Sequence, residues 1–408
     1  MKGKLFVGID WGHEECHVYA EDEEGSVIVD RRVSSEPASL QALAKNLTGL
    51  AGGSGVEVVV EATGGPVVQT MLGANFEVYA VNPKKVDRAR ELLSMSGAKD
   101  DRRDAYVALR LLRSFREAVC QLTPTAAQVV VLRSAARRYQ DTSEKLVAVR
   151  SQLRQLAWSY FPALTKLGDF DTFWMVALAE QIPSPLAAHA AEVASVSAIL
   201  RQHRVRKFTA EQVLDVLRET AIEMASAEVE AHSFDLQLLC NQLRLLMQHR
   251  KLVRRRLEDL LERYSSDDPG PSDAEIVRSQ PGAGAYVTAT LIGEGLTALL
   301  QHDLDIARAY CGVAPVTRVT GKRQTRNRPQ VVMRRACNTY LRRAMHAFCE
   351  KSLVFDAASR SRYATLRSRG HKHGRALRQL GDSKLKQLRA MLRDRTLFVP
   401  KVGMPDPT

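Results

Sequence analysis

The string Phe6–Gly12 (FVGIDWG) carries an apolar strand pattern directly into an aspartate and a glycine, and Val58–Gly65 (VVVEATGG) repeats the device with a glutamate. A strand end is where a rigid scaffold can aim a carboxylate into a cleft, and the glycines that follow leave room for a phosphate backbone to approach. Asp10 and Glu61 are therefore candidate site residues. A third string, Ala98–Ala105 (AKDDRRDA), opens a helix pattern with Asp101 and Asp104 three apart and so on one face. Asp100 competes with Asp101 on spacing alone. Hard divalent cations such as Mg²⁺ or Mn²⁺ take few protein oxygens and keep positions for water and substrate phosphate. Two such ions about 4 Å apart can activate an attacking oxygen and stabilise a leaving one. Singly, each acid has an ordinary reading as a helix cap, a turn residue or a solvated charge. Together, Asp10, Glu61, Asp101 and Asp104 point to a metal site.

Around these strings the first 120 residues alternate strands and helices. Lys4–Asp10, Cys16–Asp22 and Ser26–Ser34 read as an antiparallel meander, followed by a helix over Ser39–Leu50. Val56–Glu61 is a β-branched run suited to a strand buried on both faces. A helix from Pro66, a strand at Phe76–Val81 and helices at Pro83–Ser94 and Asp101–Arg116 complete an α/β domain, 1–120, whose element order is that of a ribonuclease-H-like domain. Residues 121–264 turn all-α. Val129–Tyr160 and Ser233–Tyr264 carry long amphipathic patterns that suggest an antiparallel coiled coil and dimer contact, with a less regular helical insert over Pro162–Glu230. Ser265–Ser272 (SSDDPGPS) reads as a linker, 273–398 as a basic, mainly helical domain and 399–408 as a tail.

Charge separates these parts. From residue 301 onward there are 24 Lys and Arg against 7 Asp and Glu, whereas the first 300 residues hold 35 against 39. A near-neutral front with a strongly basic C-terminal part implies a polyanion partner for the latter. The six cysteines lack CxxC spacing, which argues against a zinc ribbon and a disulfide framework. No apolar run approaches a membrane span, and MKGKLFVGID lacks the apolar core of a signal peptide, so the expected location is the cytoplasm.

In the basic domain, Val277–Glu294 (VRSQPGAGAYVTATLIGE) reads as helix, PGAG turn, helix. Gly282 and Gly284 are free to take positive φ, and the turn suits either phosphate binding or plain helix packing. A Thr- and Arg-rich stretch, Tyr310–Pro329, reads as a hairpin or loop, and Val331–Phe348 begins extended and becomes an amphipathic helix with an Arg-bearing face. Lys322, Arg323, Arg326, Arg334, Arg335, Arg342 and Arg343 are the candidate nucleic-acid contacts. Arg360–Arg395 is dense in Arg and Lys and contains His371 and His373. With no further Cys or His nearby in sequence, HKH reads as a phosphate-facing basic turn rather than a metal site.

GIDWG, VVVEATGG, VNPKKVDRAR and AKDDRRDA, in this order, resemble the N-terminal motifs of the DEDD insertion-sequence transposases. These are RuvC-like recombinases of the IS-one-ten family, related to the Piv invertases and guided by a bridge RNA. The resemblance places the family's four acids on Asp10, Glu61, Asp101 and Asp104. It implies a RuvC-like fold, Mg²⁺ dependence, donor and target DNA as substrates, a guide RNA, and a homodimer assembling to a tetramer. The string G-x-A-P-V-T-x-x-T-G-K over Gly312–Lys322 resembles the family's transposase domain, where a serine before Gly-Lys is the nucleophile. Here that position is Thr320, whose hydroxyl can do the same chemistry although its methyl group crowds the attack; Thr317 and Thr325 are its rivals. The implied function is a DNA transposase or site-specific recombinase acting through a covalent protein–DNA intermediate. Alternatives are a metal-dependent nuclease or Holliday-junction resolvase using water, and a non-catalytic nucleic-acid binder. A sugar-kinase-like reading of FVGIDWG lacks the second acidic strand and adenosine loop that it requires.

Overall fold

The computed structural model describes residues 3–62, 64–93, 100–122, 126–219, 222, 224–265, 269–318 and 330–400. The chain divides into two compact units, Met1–Thr125 and Ala126–Thr408.

The first unit is a six-stranded sheet flanked by helices. In chain order its elements are β1 (Leu5–Trp11), β2 (Glu15–Glu21), β3 (Val27–Ser34), α1 (Pro37–Ala51), β4 (Val56–Val60), α2 (Pro66–Gly73), β5 (Glu77–Val81), α3 (Pro83–Leu93), α4 (Asp101–Ser114) and β6 (Val119–Leu122). The strand order is β3-β2-β1-β4-β5-β6. The expected meander forms: β1, β2 and β3 pair antiparallel, while β4 runs parallel to β1 and β5 parallel to β4. All five residues of β4 are buried, four of them valine as suits a central parallel strand, and the fifth, Glu57, pairs with Lys4 and Arg116. Side chains alternate between the faces. Val7, Ile9, Val58 and Val60 pack with α1 and α2, whereas Val59 and Phe6 meet α3 and α4 on the other face. The edge strand β6, antiparallel to β5, is absent from the sequence reading. Four residues of mixed character directly after a helix give too short a pattern to register.

Two features fix α4 against the sheet. A Cβ on Gly8 would lie 2.0 Å from the Ala105 carbonyl oxygen, so β1 and α4 meet at backbone distance only because residue 8 is glycine. Buried Glu21 of β2 accepts from Arg110 Nη2 at 2.7 Å and from Arg113 Nη1 at 3.0 Å, both on α4.

Among its described residues the second unit is helical apart from one hairpin. It begins with α5 (Ala127–Tyr160), followed by α6 (Pro162–Lys166), α7 (Phe173–Gln181), α8 (Pro185–Ala190), α9 (Val193–Gln202), α10 (Ala210–Leu217) and α11 (Ser226–Glu262). Then come α12 (Asp273–Ser279), α13 (Ala285–Gly293), α14 (Leu296–His302), α15 (Leu304–Tyr310), β7 (Pro315–Arg318), β8 (Gln330–Met333), α16 (Thr339–Phe355), α17 (Ala357–Ser368) and α18 (His373–Asp394). The two long helices run antiparallel. Early residues of α5 (Leu132, Ala136) share a core with late residues of α11 (Leu257, Leu261), and late residues of α5 (Leu146, Leu153) with early ones of α11 (Leu236, Leu243). The short helices α6–α10 cap that second cluster. In the PGAG turn, Gly282 has φ +95° and packs against α16, where a Cβ would meet Ser352 N at 2.6 Å. Gly284 is extended (φ −71°, ψ 177°) and caps α13 without left-handed geometry. Among the described residues no helix is long and apolar enough to cross a membrane.

Candidate metal centre

The register of two strands sets the centre. Ile9 lies opposite Val60 in the parallel β1–β4 pair, so the next residues, Asp10 and Glu61, sit at the same level on neighbouring strands. Ile9 and Val60 face α1 and α2; by alternation Asp10 and Glu61 face the side covered by α3 and α4. There α4 begins, its first turn carrying Asp101 and Asp104, where the helix dipole favours carboxylates. Asp10, Glu61, Asp101 and Asp104 line one cavity of about 330 Å³, together with Trp11, Gly12, Glu15, Pro83, Asp87 and Arg90. Asp101 rather than Asp100 is the lining residue; Asp100 is the N-cap of α4 and makes no side-chain cap bond.

Asp104 is buried, 4% exposed, and accepts from Arg90 Nε at 2.6 Å. Arg90 also donates to Asp87 Oδ1 at 3.1 Å, three residues earlier on α3. Asp101 is exposed, with Arg32 Nη2 of β3 at 3.6 Å. Burial pushes the Glu61 carboxyl above its usual value; the neighbouring charges of Asp10, Asp104 and Asp87 push it further, and Arg90 opposes them only in part. The negative charge around Glu61 is thus one for which Arg90 compensates incompletely. An all-oxygen donor set of this kind fits Mg²⁺ or Mn²⁺ and lacks the nitrogen and sulfur that softer metals select. Glu15, Asp87 and Arg90 also line the cavity, and no local pattern in the sequence marks them as site residues. Asp87 and Arg90 stand in VNPKKVDRAR with i,i+3 spacing, but only the packing of α3 on the sheet brings them to the acids.

In the second unit, Thr320, Lys322, Arg323 and Arg326 lie outside the described residues, as does Thr325. Arg334 is half-buried and Arg335 exposed. Arg342 is half-buried, its side chain against Gly312, and Arg343 pairs with Glu144 of α5. Buried Glu294, just after α13, accepts from Arg137 Nε and Nη2 at 2.6 and 2.8 Å and from Asn338 Nδ2 at 2.7 Å, which ties α5, α13 and the start of α16 together.

Residues 7–162 match the DEDD transposase model of the IS110 family, and residues 274–364 match the model for transposases of the IS116/IS110/IS902 family. Among similar proteins, the "Putative transposase y4uE" of Sinorhizobium fredii is 34% identical over half of this chain and 58% of its own length. The "Mini-circle putative transposase for IS117" of Streptomyces coelicolor is 26% identical over 97% of this chain and 95% of its own. The insertion element IS116 "uncharacterized 44.8 kDa protein" of Streptomyces clavuligerus is 26% identical over 97% and 96%. An α/β unit with an acidic cavity, followed by a basic helical unit, thus falls within the insertion-sequence transposases as a class. With two models that together cover well over half of it, the chain belongs to the IS110 family.

Proposed function

We propose that the protein is a metal-dependent DNA recombinase that cleaves and rejoins strands through a covalent link to Thr320. The observation that carries this reading is the single cavity lined by Asp10, Glu61, Asp101 and Asp104. The meander followed by parallel crossovers supports the RuvC-like interpretation of the sheet. Asp10, Glu61, Asp101 and Asp104 would hold Mg²⁺ or Mn²⁺, which supplies Lewis-acid stabilisation of charge on a scissile phosphate. Arg90 holds Asp104 in place and limits the repulsion among the acids. The Thr320 oxygen attacks the phosphorus of a DNA phosphodiester. A new P–O bond to threonine forms as the P–O3′ bond breaks, and the threonine proton passes to the departing 3′-oxygen. A 3′-hydroxyl of a partner strand later attacks the phosphothreonine and restores the Thr320 hydroxyl. One phosphodiester is exchanged for another, so no external energy source is needed.

The basic surplus after residue 300 supports binding of donor and target DNA. With the family resemblance, it also supports a guide RNA that carries the target sequence in place of protein side chains. Exposed Phe234, Leu238, Leu245 and Leu252 on α11 and Trp158 on α5 support a coiled-coil contact between chains, hence a dimer and its tetramer. Purification of the full chain and sequencing of bound RNA checks the guide. Denaturing gels check the chemistry: DNA retained on protein in Mg²⁺, absent in EDTA and absent from Thr320→Ala, is the expected result. Clean hydrolysis that persists in Thr320→Ala would establish the nuclease reading instead.

A further inference from the structure

The HKH string has no ligand partner nearby in sequence, yet the fold supplies two. Among the described residues, His346, Glu350 and His373 bring one ligand atom each within 4.8 Å of one another. His346 and Glu350 are four apart on α16 and share a face, while His373 opens α18. Glu350 Oε1 lies 3.3 Å from His346 Nε2 and 4.0 Å from His373 Nε2. Ligand bonds of about 2.0–2.1 Å in a tetrahedral site place donor atoms roughly 3.4 Å apart. Small side-chain rotations would therefore close this set on an ion.

A second observation concerns the other nitrogen of His373. Its Nδ1 lies 2.8 Å from the Tyr363 hydroxyl on α17, which leaves Nε2 as the ring atom directed at Glu350. Metal-binding histidines are held in this way, one nitrogen fixed by an outer partner and the other presented to the ion. The frame behind the cluster is packed: Cys349 of α16 and Leu377 and Leu380 of α18 form a buried group against which Tyr363 rests. All three would-be ligands are exposed, so water can complete the coordination.

We propose that His346, Glu350 and His373 form a second metal site, of His₂Glu type, which takes Zn²⁺ and clamps the start of α18 to α16. Imidazole nitrogen selects a borderline transition metal over Mg²⁺, which distinguishes this site chemically from the all-carboxylate cavity of the first unit. The site does not rest on the recombinase reading. A surface ion pair between protonated histidines and Glu350 is the competing description.

The test uses the full chain stripped with a chelator and titrated with Co²⁺, then with Zn²⁺ as competitor. A visible absorption band of tetrahedral Co²⁺ at one equivalent per chain, displaced by Zn²⁺, is expected. His373→Ala and Glu350→Gln should abolish the band, and Tyr363→Phe, which keeps all three ligands, should weaken Zn²⁺ binding about tenfold or more. Asp104→Asn should leave the band intact. Absence of the band, or a band that survives His373→Ala, overturns the site. Equal Zn²⁺ affinity in Tyr363→Phe overturns the role given to that hydroxyl.

Discussion

Arg90 Nε and Asp104 Oδ1 lie 2.6 Å apart in the acidic cavity, a buried ion pair between α3 and α4. The guanidinium stands among carboxylates as a resident counter-charge. Removing it leaves Asp104 buried without its partner, at a cost of about 3–5 kcal/mol when no metal is bound. Arg90→Gln should therefore melt well below wild type in EDTA. Added Mn²⁺ should raise its melting temperature by more than it raises that of wild type, because the ion replaces the missing charge. Equal Mn²⁺ responses would show that Arg90 does not compensate the cluster.

Glu61 makes the opposite contribution in the absence of metal. Its carboxyl titrates above the ordinary 4.5, because of burial first and then Asp10, Asp104 and Asp87. A folded-state value above the unfolded one means stability that is present below pH 4.5 and lost as pH rises through the folded value. At neutral pH the ionised group is thus destabilising. Glu61→Gln should melt higher than wild type at pH 7 in EDTA, with the gap closing below pH 4.5, and should bind Mn²⁺ more weakly. A lower melting temperature at pH 7 would contradict the assignment.

Gly8 permits the contact that positions Asp101 and Asp104. In Gly8→Ala a Cβ would fall 2.0 Å from the Ala105 carbonyl oxygen, so the backbone must move. Overpacking of this kind costs about 1–3 kcal/mol, and a shift of about 1 Å at a reacting centre can cost on the order of 10²-fold in rate. Strand-transfer assays beside thermal melts should show the activity falling further than the stability. Full activity would mean that α4 need not be held at this distance.

In the second unit, Lys384 is buried on α18 and donates to Asp356 Oδ2 at 3.0 Å. Burial alone would raise the Asp356 carboxyl, but hydrogen bonds from Ser359 and Lys384 outweigh it and hold the value below the ordinary 3.8. A depressed value gives stability that is present above pH 3.8 and lost as pH falls through the folded value. Asp356→Asn retains a good helix cap yet leaves Lys384 unpaired, and should cost about 3–5 kcal/mol at neutral pH. An acid titration followed by circular dichroism should show a transition below pH 3.8 in wild type that Asp356→Asn lacks.

Much of the first unit is legible because its signals are local. Period-two strands, the valine-rich β4 run and acids at strand ends can each be read in a window of a few residues, and Asp10, Glu61, Asp101 and Asp104 do meet in one cavity. What escapes the sequence depends on packing. Asp87 and Arg90 lie within a helix pattern, and only the packing of α3 on the sheet brings them to the acids. His373 reads as part of a basic turn until α16 brings His346 and Glu350 beside it, 27 and 23 positions away in sequence. Of the two glycines free to take positive φ, Gly282 uses it and Gly284 is extended.

The acidic cavity is tested most directly by the Mn²⁺ occupancy of the full chain, read by electron paramagnetic resonance in a His373→Ala background that removes the second site. Mn²⁺ should bind in that protein, with affinity lowered tenfold or more by Asp10→Asn or Asp104→Asn. Unchanged Mn²⁺ binding in both variants would contradict the claim that the cavity of Asp10, Glu61, Asp101 and Asp104 is the metal centre.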